Sequence, residues 1–240
     1  AARAVSLARL KSTQYAAISG YDIKNLKSAP AAAVYYIDCD FIAGEVKLKL
    51  SEIFGEELDC VFVRGNTVKK IKVYEIDRQK EYDCTCAVAV EEPDFLHKER
   101  YDYSDLLELV RLLRAPGGCP WDRVQTNDTI KQNMIEEAYE LVDAINRKDD
   151  DGIEEECGDV LLQAAFHTVL KEEQGAFTSG DVLSRVVKKL IFRHSHIFGK
   201  DKASDEDSAL NVWEKNKMEE KHQTTFTESL KAVPVNFPAC

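Results

Sequence analysis

The chain has 240 residues, 44% of them hydrophobic and 31% charged, with a formal net charge of -11. That length allows one large domain or two small ones, and the composition is that of ordinary soluble proteins. The acidic balance excludes non-specific nucleic-acid binding, which needs a basic face. No apolar run reaches the roughly 18 to 20 residues of a membrane helix, and the N-terminus has no signal-peptide core. A phosphate substrate remains open, because metal ions screen the two sets of negative charge.

Residues 1 to about 30 are rich in Ala, Ser and Lys with weak periodicity, and an irregular lead-in is expected. Residues 31–92 read as α/β. Ala33–Ile37 and Cys60–Val63 are short apolar runs, and Val68–Ile76 and Cys84–Val90 alternate. Helical spacing runs from Phe41 to Phe54 through Val46, Leu48, Leu50 and Ile53. Pro93 breaks the pattern, and a domain boundary is expected near residues 92–100, dividing the chain into 1–97 and 98–240.

From Tyr101 onward the pattern is helical. Ser104 is a candidate N-cap for a helix through Leu106, Leu107, Val110 and Leu113, ended by the loop Ala115–Pro120. Further helices are expected over Thr129–Arg147, Gly152–Lys171, Thr178 to about His196 (with a Thr178/Asp181 capping box) and Asp207–Lys221. An extended tail with Pro234 and Pro238 follows. The fold class is therefore α+β overall, a small α/β segment followed by an all-α bundle. The seven Cys (39, 60, 84, 86, 119, 157, 240) have no zinc spacing and read as reduced thiols of a cytoplasmic protein; Cys84 and Cys86 read as alternation on a strand.

On the helix over residues 129–147, Ile130, Met134, Ala138, Leu141 and Ile145 make an apolar stripe, with Glu137 and Glu140 three apart along its edge. Glu136 points farther toward solvent. The next helix repeats the arrangement: Gly158, Leu162, Ala165, Phe166 and Val169 form the stripe, and Glu156 and Asp159 edge it. A short connection around residues 148–152 makes the two helices antiparallel neighbours, so four carboxylates can share one rim. Four anions at close range need a counter-charge, and oxygen-only ligands suit Mg²⁺ or Mn²⁺. Gly158 in mid-helix is explained by close helix approach beside the acids. Taken singly, E-x-x-E on a helix is most often solvated surface. Lys189 and Arg193 share one helix face, and Trp213 and Lys217 another. His194 and His196, near a helix end, read as capping or packing residues.

These residues carry a resemblance. Gly118-Cys119-Pro120-Trp121-Asp122, Gln125-Thr126, Glu136-Glu137-Ala138-Tyr139-Glu140, Glu156-Cys157-Gly158-Asp159, Arg193-His194-Ser195-His196-Ile197-Phe198-Gly199 and Trp213-Glu214-x-x-Lys217 resemble the MazG family of nucleoside triphosphate pyrophosphohydrolases. Ser195 stands where a common family form has Pro, a departure expected to be harmless. The resemblance implies a dimerising all-α bundle and Mg²⁺ on Glu137, Glu140, Glu156 and Asp159, with Glu136 nearby; in the expected mechanism Glu136 or Glu137 orients the water. It also implies triphosphate or base contacts from Lys189, Arg193, Trp213 and Lys217. The expected reaction is water attack at the α-phosphorus, releasing nucleoside monophosphate and pyrophosphate. Alternatives are the same chemistry on phosphoribosyl-ATP or a deoxynucleotide, and a non-catalytic dimerising or ligand-binding module. Residues 31–92 resemble the C-terminal subdomain of tetrapyrrole methylases, through Tyr36-Ile37-Asp38, Val46–Leu50, Val61–Gly65 and Tyr74–Arg78. The methylase N-terminal half has no counterpart here, so methyl transfer is not expected. The expected partners are the nucleotide and a second copy of the chain, without nucleic acid or membrane.

Overall fold

The structure is a computed structural model that describes residues 12–27 and 29–222, with Ser6, Leu10 and Glu228. The tail around Pro234 and Pro238 lies outside the described residues, as does nearly all of the stretch before residue 12. The chain divides into two compact units, 1–105 and 106–240.

In the first unit the strands β1 (Ala16–Ser19), β2 (Ala31–Tyr35), β3 (Asp59–Arg64), β4 (Thr67–Lys72) and β5 (Ala87–Glu91) form one sheet in the order β1-β2-β5-β3-β4. Only β1 and β2 run parallel, with Ala17 opposite Ala33; Ala33 also faces Ala89, and Val63 faces Val68 across antiparallel pairs. In β2 and β5 four successive residues each are buried, Ala31–Val34 and Ala87–Val90. A continuous apolar run of this kind is what a strand covered on both faces requires. The edge strand β4 carries Lys69, Lys70 and Lys72, charges that discourage edge-to-edge pairing.

Helix α1 (Asp40–Phe54) buries Ile42, Val46 and Leu50 at four-residue spacing and ends at Gly55, whose φ of 93° needs a glycine. Leu48, read as part of its apolar face, is 63% exposed, because it lies two positions from both Val46 and Leu50 and so points away from the sheet. The irregular lead-in is not observed over residues 16–25: β1 is followed by a 3-10 helix, Gly20–Asn25. A Cβ at Gly20 would lie 2.7 Å from Ile42 Cγ2, so the absent side chain lets this turn pack on α1. The strand expected from Cys84 begins at Ala87, since Asp83 turns the chain by accepting the Thr85 N–H. Cys60 is buried and its thiol is pushed up to about 12, first by burial and then by the neighbouring carboxylates.

The second unit is helical: α2 (Tyr103–Arg114, whose first turn straddles the division), α3 (Pro120–Val124), α4 (Asn127–Arg147), α5 (Asp150–Glu173), α6 (Ser179–Arg193), α7 (Ser195–Phe198) and α8 (Glu206–Glu220). Ser104 is not the cap of α2. Asp102 Oδ1 accepts the N–H groups of Ser104 and Asp105, while Asp105 Oδ2 accepts that of Asp102. The carboxylate out-competes the hydroxyl because it is charged and faces the positive helix end. At the other end of α2, Gly118 sits so that a Cβ would collide with the Leu112 and Leu113 carbonyl oxygens. Gly118→Ala is expected to destabilise the helical unit by about 1–3 kcal/mol, read as a lower denaturation midpoint in urea.

Thr126 caps α4 by accepting the Thr129 N–H. Lys148 adopts the left-handed conformation (φ 56°), and Asp149 at once caps α5 through the Gly152 N–H. This two-residue connection makes α4 and α5 antiparallel, and the far end is tied by His167 Nδ1 to Asn127 Oδ1 at 2.6 Å. Two ion pairs join α2 to the end of α5, Arg111–Glu172 at 2.6 Å and Arg114–Glu173 at 2.7 Å. The Arg114 side chain also lies over the Phe166 ring. Thr178 and Asp181 form the expected capping box at the start of α6. No helix among the described residues is long and apolar enough to cross a membrane.

Candidate active site

The α4–α5 pair positions the acids. Ile130 and Ala144 are buried and Met134 and Leu141 half-buried, whereas Ala138 and Ile145 are exposed. The packed stripe is thus rotated by one position from the expected one. Glu137, seven residues after Ile130 and seven before Ala144, lies within this face rather than beside it. On α5 the buried line is Gln163, Ala165, Phe166, Thr168 and Val169. Gly158 is not a point of close helix approach: it is exposed, and a Cβ there would meet nothing within 4 Å. The tight packing lies farther along α5, and its first turns carry the acids instead.

Glu137, Glu156 and Asp159 each place a carboxylate oxygen within 4.8 Å of the others. Glu140 is exposed and outside this group, yet its charge acts on both Glu137 and Glu156. Glu136 is exposed beside them and acts on Glu137. Burial, and then the charges of Asp159, Glu140 and Glu136, raise the Glu137 carboxyl above its ordinary value. Burial, and then Glu140 and Asp159, do the same to Glu156. Glu156 Oε2 is buried without a hydrogen-bond partner among the described residues. A buried, unpaired carboxylate oxygen beside two other carboxylates is costly unless a cation shares the site. The donor set, oxygens alone, fits a hard divalent metal. Gln163, which the sequence reading did not single out, leans toward Glu137 Oε1 from Nε2 at 3.4 Å. Its signal was present, four residues after Asp159 on the same helix face.

The expected cations divide. Arg193, Trp213 and Lys217 come together where α6 meets α8. The Arg193 guanidinium carbon lies 5.1 Å and Lys217 Nζ 4.7 Å from the Trp213 ring centre. Arg193 is 8% exposed, and its Nε donates to Glu220 Oε2 at 2.8 Å. Lys217 also reaches Glu214 at 3.2 Å. Lys189, one turn earlier on α6, lines a different cavity of about 330 Å³ with Phe177, Val182, Arg185 and Val186. His194 donates Nδ1–H to the Leu190 carbonyl at 2.7 Å, the capping role read from its place at a helix end. Ser195 is engaged: its hydroxyl donates to Asp201 Oδ2 at 2.6 Å and accepts from Asn216 Nδ2 at 2.6 Å. Asn216 and Glu220 were missed, although they stand three and seven residues after Trp213, on its face of α8.

The helical unit thus gathers three acids on one helix pair and stacks two cations on an indole at another. Residues 125–198 match the family model described as the MazG nucleotide pyrophosphohydrolase domain. Trp213 and Lys217 lie beyond the matched stretch. Among curated relatives, the uncharacterized protein YabN of Bacillus subtilis is 38% identical over 205 residues, 82% of this chain and 41% of that one. The nucleoside triphosphate pyrophosphohydrolase/pyrophosphatase MazG of Thermotoga maritima is 44% identical over 119 residues, 50% of this chain and 45% of that one. The nucleoside triphosphate pyrophosphohydrolase of Escherichia coli K12 is 38% identical over 135 residues, 56% of this chain and 51% of that one. The chain thus spans about half or less of the length of these relatives.

Proposed function

We propose that the chain hydrolyses nucleoside triphosphates to monophosphate and pyrophosphate in a Mg²⁺-dependent reaction. The observation that carries this reading is the group of Glu137, Glu156 and Asp159, with Glu156 Oε2 buried and unpartnered. These three, with Glu140 at the rim, would hold Mg²⁺, Mn²⁺ being a substitute. When bound, the ion would neutralise the acids, grip the triphosphate and acidify a water. Glu136 or Glu137 would orient the water toward the α-phosphorus and accept its proton. Arg193 and Lys217 would hold the outer phosphates, and Trp213 would keep the two cations in place. Lys189 would add charge from the neighbouring turn of α6.

A homodimer belongs to the same proposal. Ile135, Tyr139 and Val142 on α4, Leu161 on α5 and Val187 and Ile191 on α6 are large apolar side chains at least 45% exposed. Such surface is characteristic of protein interfaces. A second copy would also supply a route by which acids and cations of different protomers meet over one substrate.

A panel of ribo- and deoxynucleoside triphosphates, with phosphoribosyl-ATP included, tests the proposal. Pyrophosphate is the expected first product in Mg²⁺, with none in EDTA. Hydrolysis in ¹⁸O-water should place the label in the monophosphate. Label only in pyrophosphate means attack at the β-phosphorus, and orthophosphate as first product removes the assignment.

A further inference from the structure

We infer that Asn216, linked through Ser195 to Asp201, is a positioning residue that sets the Arg193–Trp213–Lys217 stack and thereby affinity for the triphosphate. This rests on the phosphate-holding role proposed above for Arg193 and Lys217.

Helix α6 ends at Arg193, so its last carbonyl groups have no partner within the helix. Asn216 supplies one from α8. It is 5% exposed, and its Nδ2 lies 3.3 Å from the Phe192 carbonyl oxygen, 3.4 Å from that of Arg193 and 2.6 Å from Ser195 Oγ. The Ser195 hydroxyl passes its own proton toward Asp201 Oδ2 at 2.6 Å. Each link is polarised by the next, and the chain ends on a carboxylate, which strengthens it.

Asn216 stands three residues after Trp213 and four before Glu220, so one face of α8 meets Arg193 three times. Trp213 lies against its guanidinium, Glu220 takes its Nε–H, and Asn216 reaches its carbonyl oxygen. The backbone and the head of one arginine are thus held by the same helix, which fixes the angle at which the guanidinium leaves α6. Lys217, the next residue after Asn216, shares the Trp213 ring with Arg193. Loss of the amide would free α6 to turn against α8 and would displace the arginine from the indole. The acids on α4 and α5 would be untouched, so the effect belongs in binding rather than turnover.

The test uses the full chain with Trp121→Phe, which leaves Trp213 as the single tryptophan. Asn216→Leu is expected to raise KM for the Mg²⁺ salt of the preferred triphosphate about fivefold to tenfold, the range of one to two hydrogen bonds, with kcat within about twofold. The Trp213 emission maximum should shift at the same time. Ser195→Ala should raise KM about two- to fivefold, and Ser195→Thr, which keeps the hydroxyl, should recover most of it. Unchanged KM and emission would overturn the inference. So would a fall in kcat and melting temperature in step with KM, the mark of a merely structural residue. If Asn216→Leu does not fold, the Ser195 pair decides. If the parent chain cleaves no triphosphate, the function proposed above fails on its own. The Trp213 emission of the variants then still decides whether Asn216 sets the stack: a shift upholds that setting, and none overturns it.

Discussion

Glu156→Gln is expected to lower turnover by at least about a hundredfold, the scale seen when one charge-stabilising group is removed from a reaction centre. The same change should stabilise the metal-free protein at neutral pH. Glu156 holds its proton more tightly in the folded chain than when free, first through burial and then through Glu140 and Asp159. For a carboxylate with a raised folded value, the stabilising contribution is complete at pH below the unfolded value. It is lost as pH rises through the folded one. At neutral pH the group is ionised at a cost to the fold, and glutamine removes that cost. Melting curves in chelator should place the variant above the parent at pH 7, with the gap closing as the solution is acidified into the carboxylate range. Added Mg²⁺ should raise the parent's melting temperature by mass action and leave the variant nearly unmoved. A variant that melts lower than the parent in chelator would mean that Glu156 is paired in a way the acid group does not provide. A variant that keeps full activity would remove Glu156 from the site.

That opposition between stability and activity explains how far the site was legible. Helix spacing alone places Glu137 and Glu140 on one helix and Glu156 and Asp159 on the next, and a two-residue connection forces the helices to face each other. What spacing could not give was the rotation of each helix about its axis. On α4 both Ala144 and Ile145 are apolar, and only packing against α5 decides that Ala144 is buried and Ile145 is not. That rotation brings Glu137 into the face and leaves Glu140 at its rim. The strand β1 was unreadable for a related reason, since Ala16–Ser19 carries one large apolar side chain, Ile18, and is a strand because β2 offers it a partner. Asn216 escaped notice because its role lies in tertiary partners, the carbonyls at the end of another helix, which no local pattern announces. Gly158 shows the same limit: its mid-helix place suggests close packing, and its exposure rules that out.

Arg193→Ala is expected to weaken triphosphate binding by about 2–3 kcal/mol, roughly 30- to 150-fold, the low end of the range for truncating the buried member of a hydrogen-bonded charge pair. Two observations set that scale. Arg193 is 8% exposed, so its charge has been taken out of water, and Glu220 and Trp213 are arranged to keep it there. A guanidinium whose Nε is held by a carboxylate still has its two terminal nitrogens with which to grip phosphate oxygens. Alanine removes both the grip and the partner of Glu220, whose side chain is 35% exposed and whose uncompensated charge then repels the triphosphate as well. Arg193→Lys should recover only part of the loss, because one ammonium cannot lie flat on the indole, reach Glu220 and bind phosphate at once. Glu220→Gln separates the terms: it keeps a side chain of the same length but not the charge, so it should weaken triphosphate binding by much less than Arg193→Ala does. Calorimetric titration with a triphosphate carrying a non-hydrolysable α,β-bridge, beside the monophosphate, reads the effect directly. A loss confined to the triphosphate assigns Arg193 to the outer phosphates. An equal loss for both ligands would mean that the residue supports the α6–α8 contact and touches no phosphate.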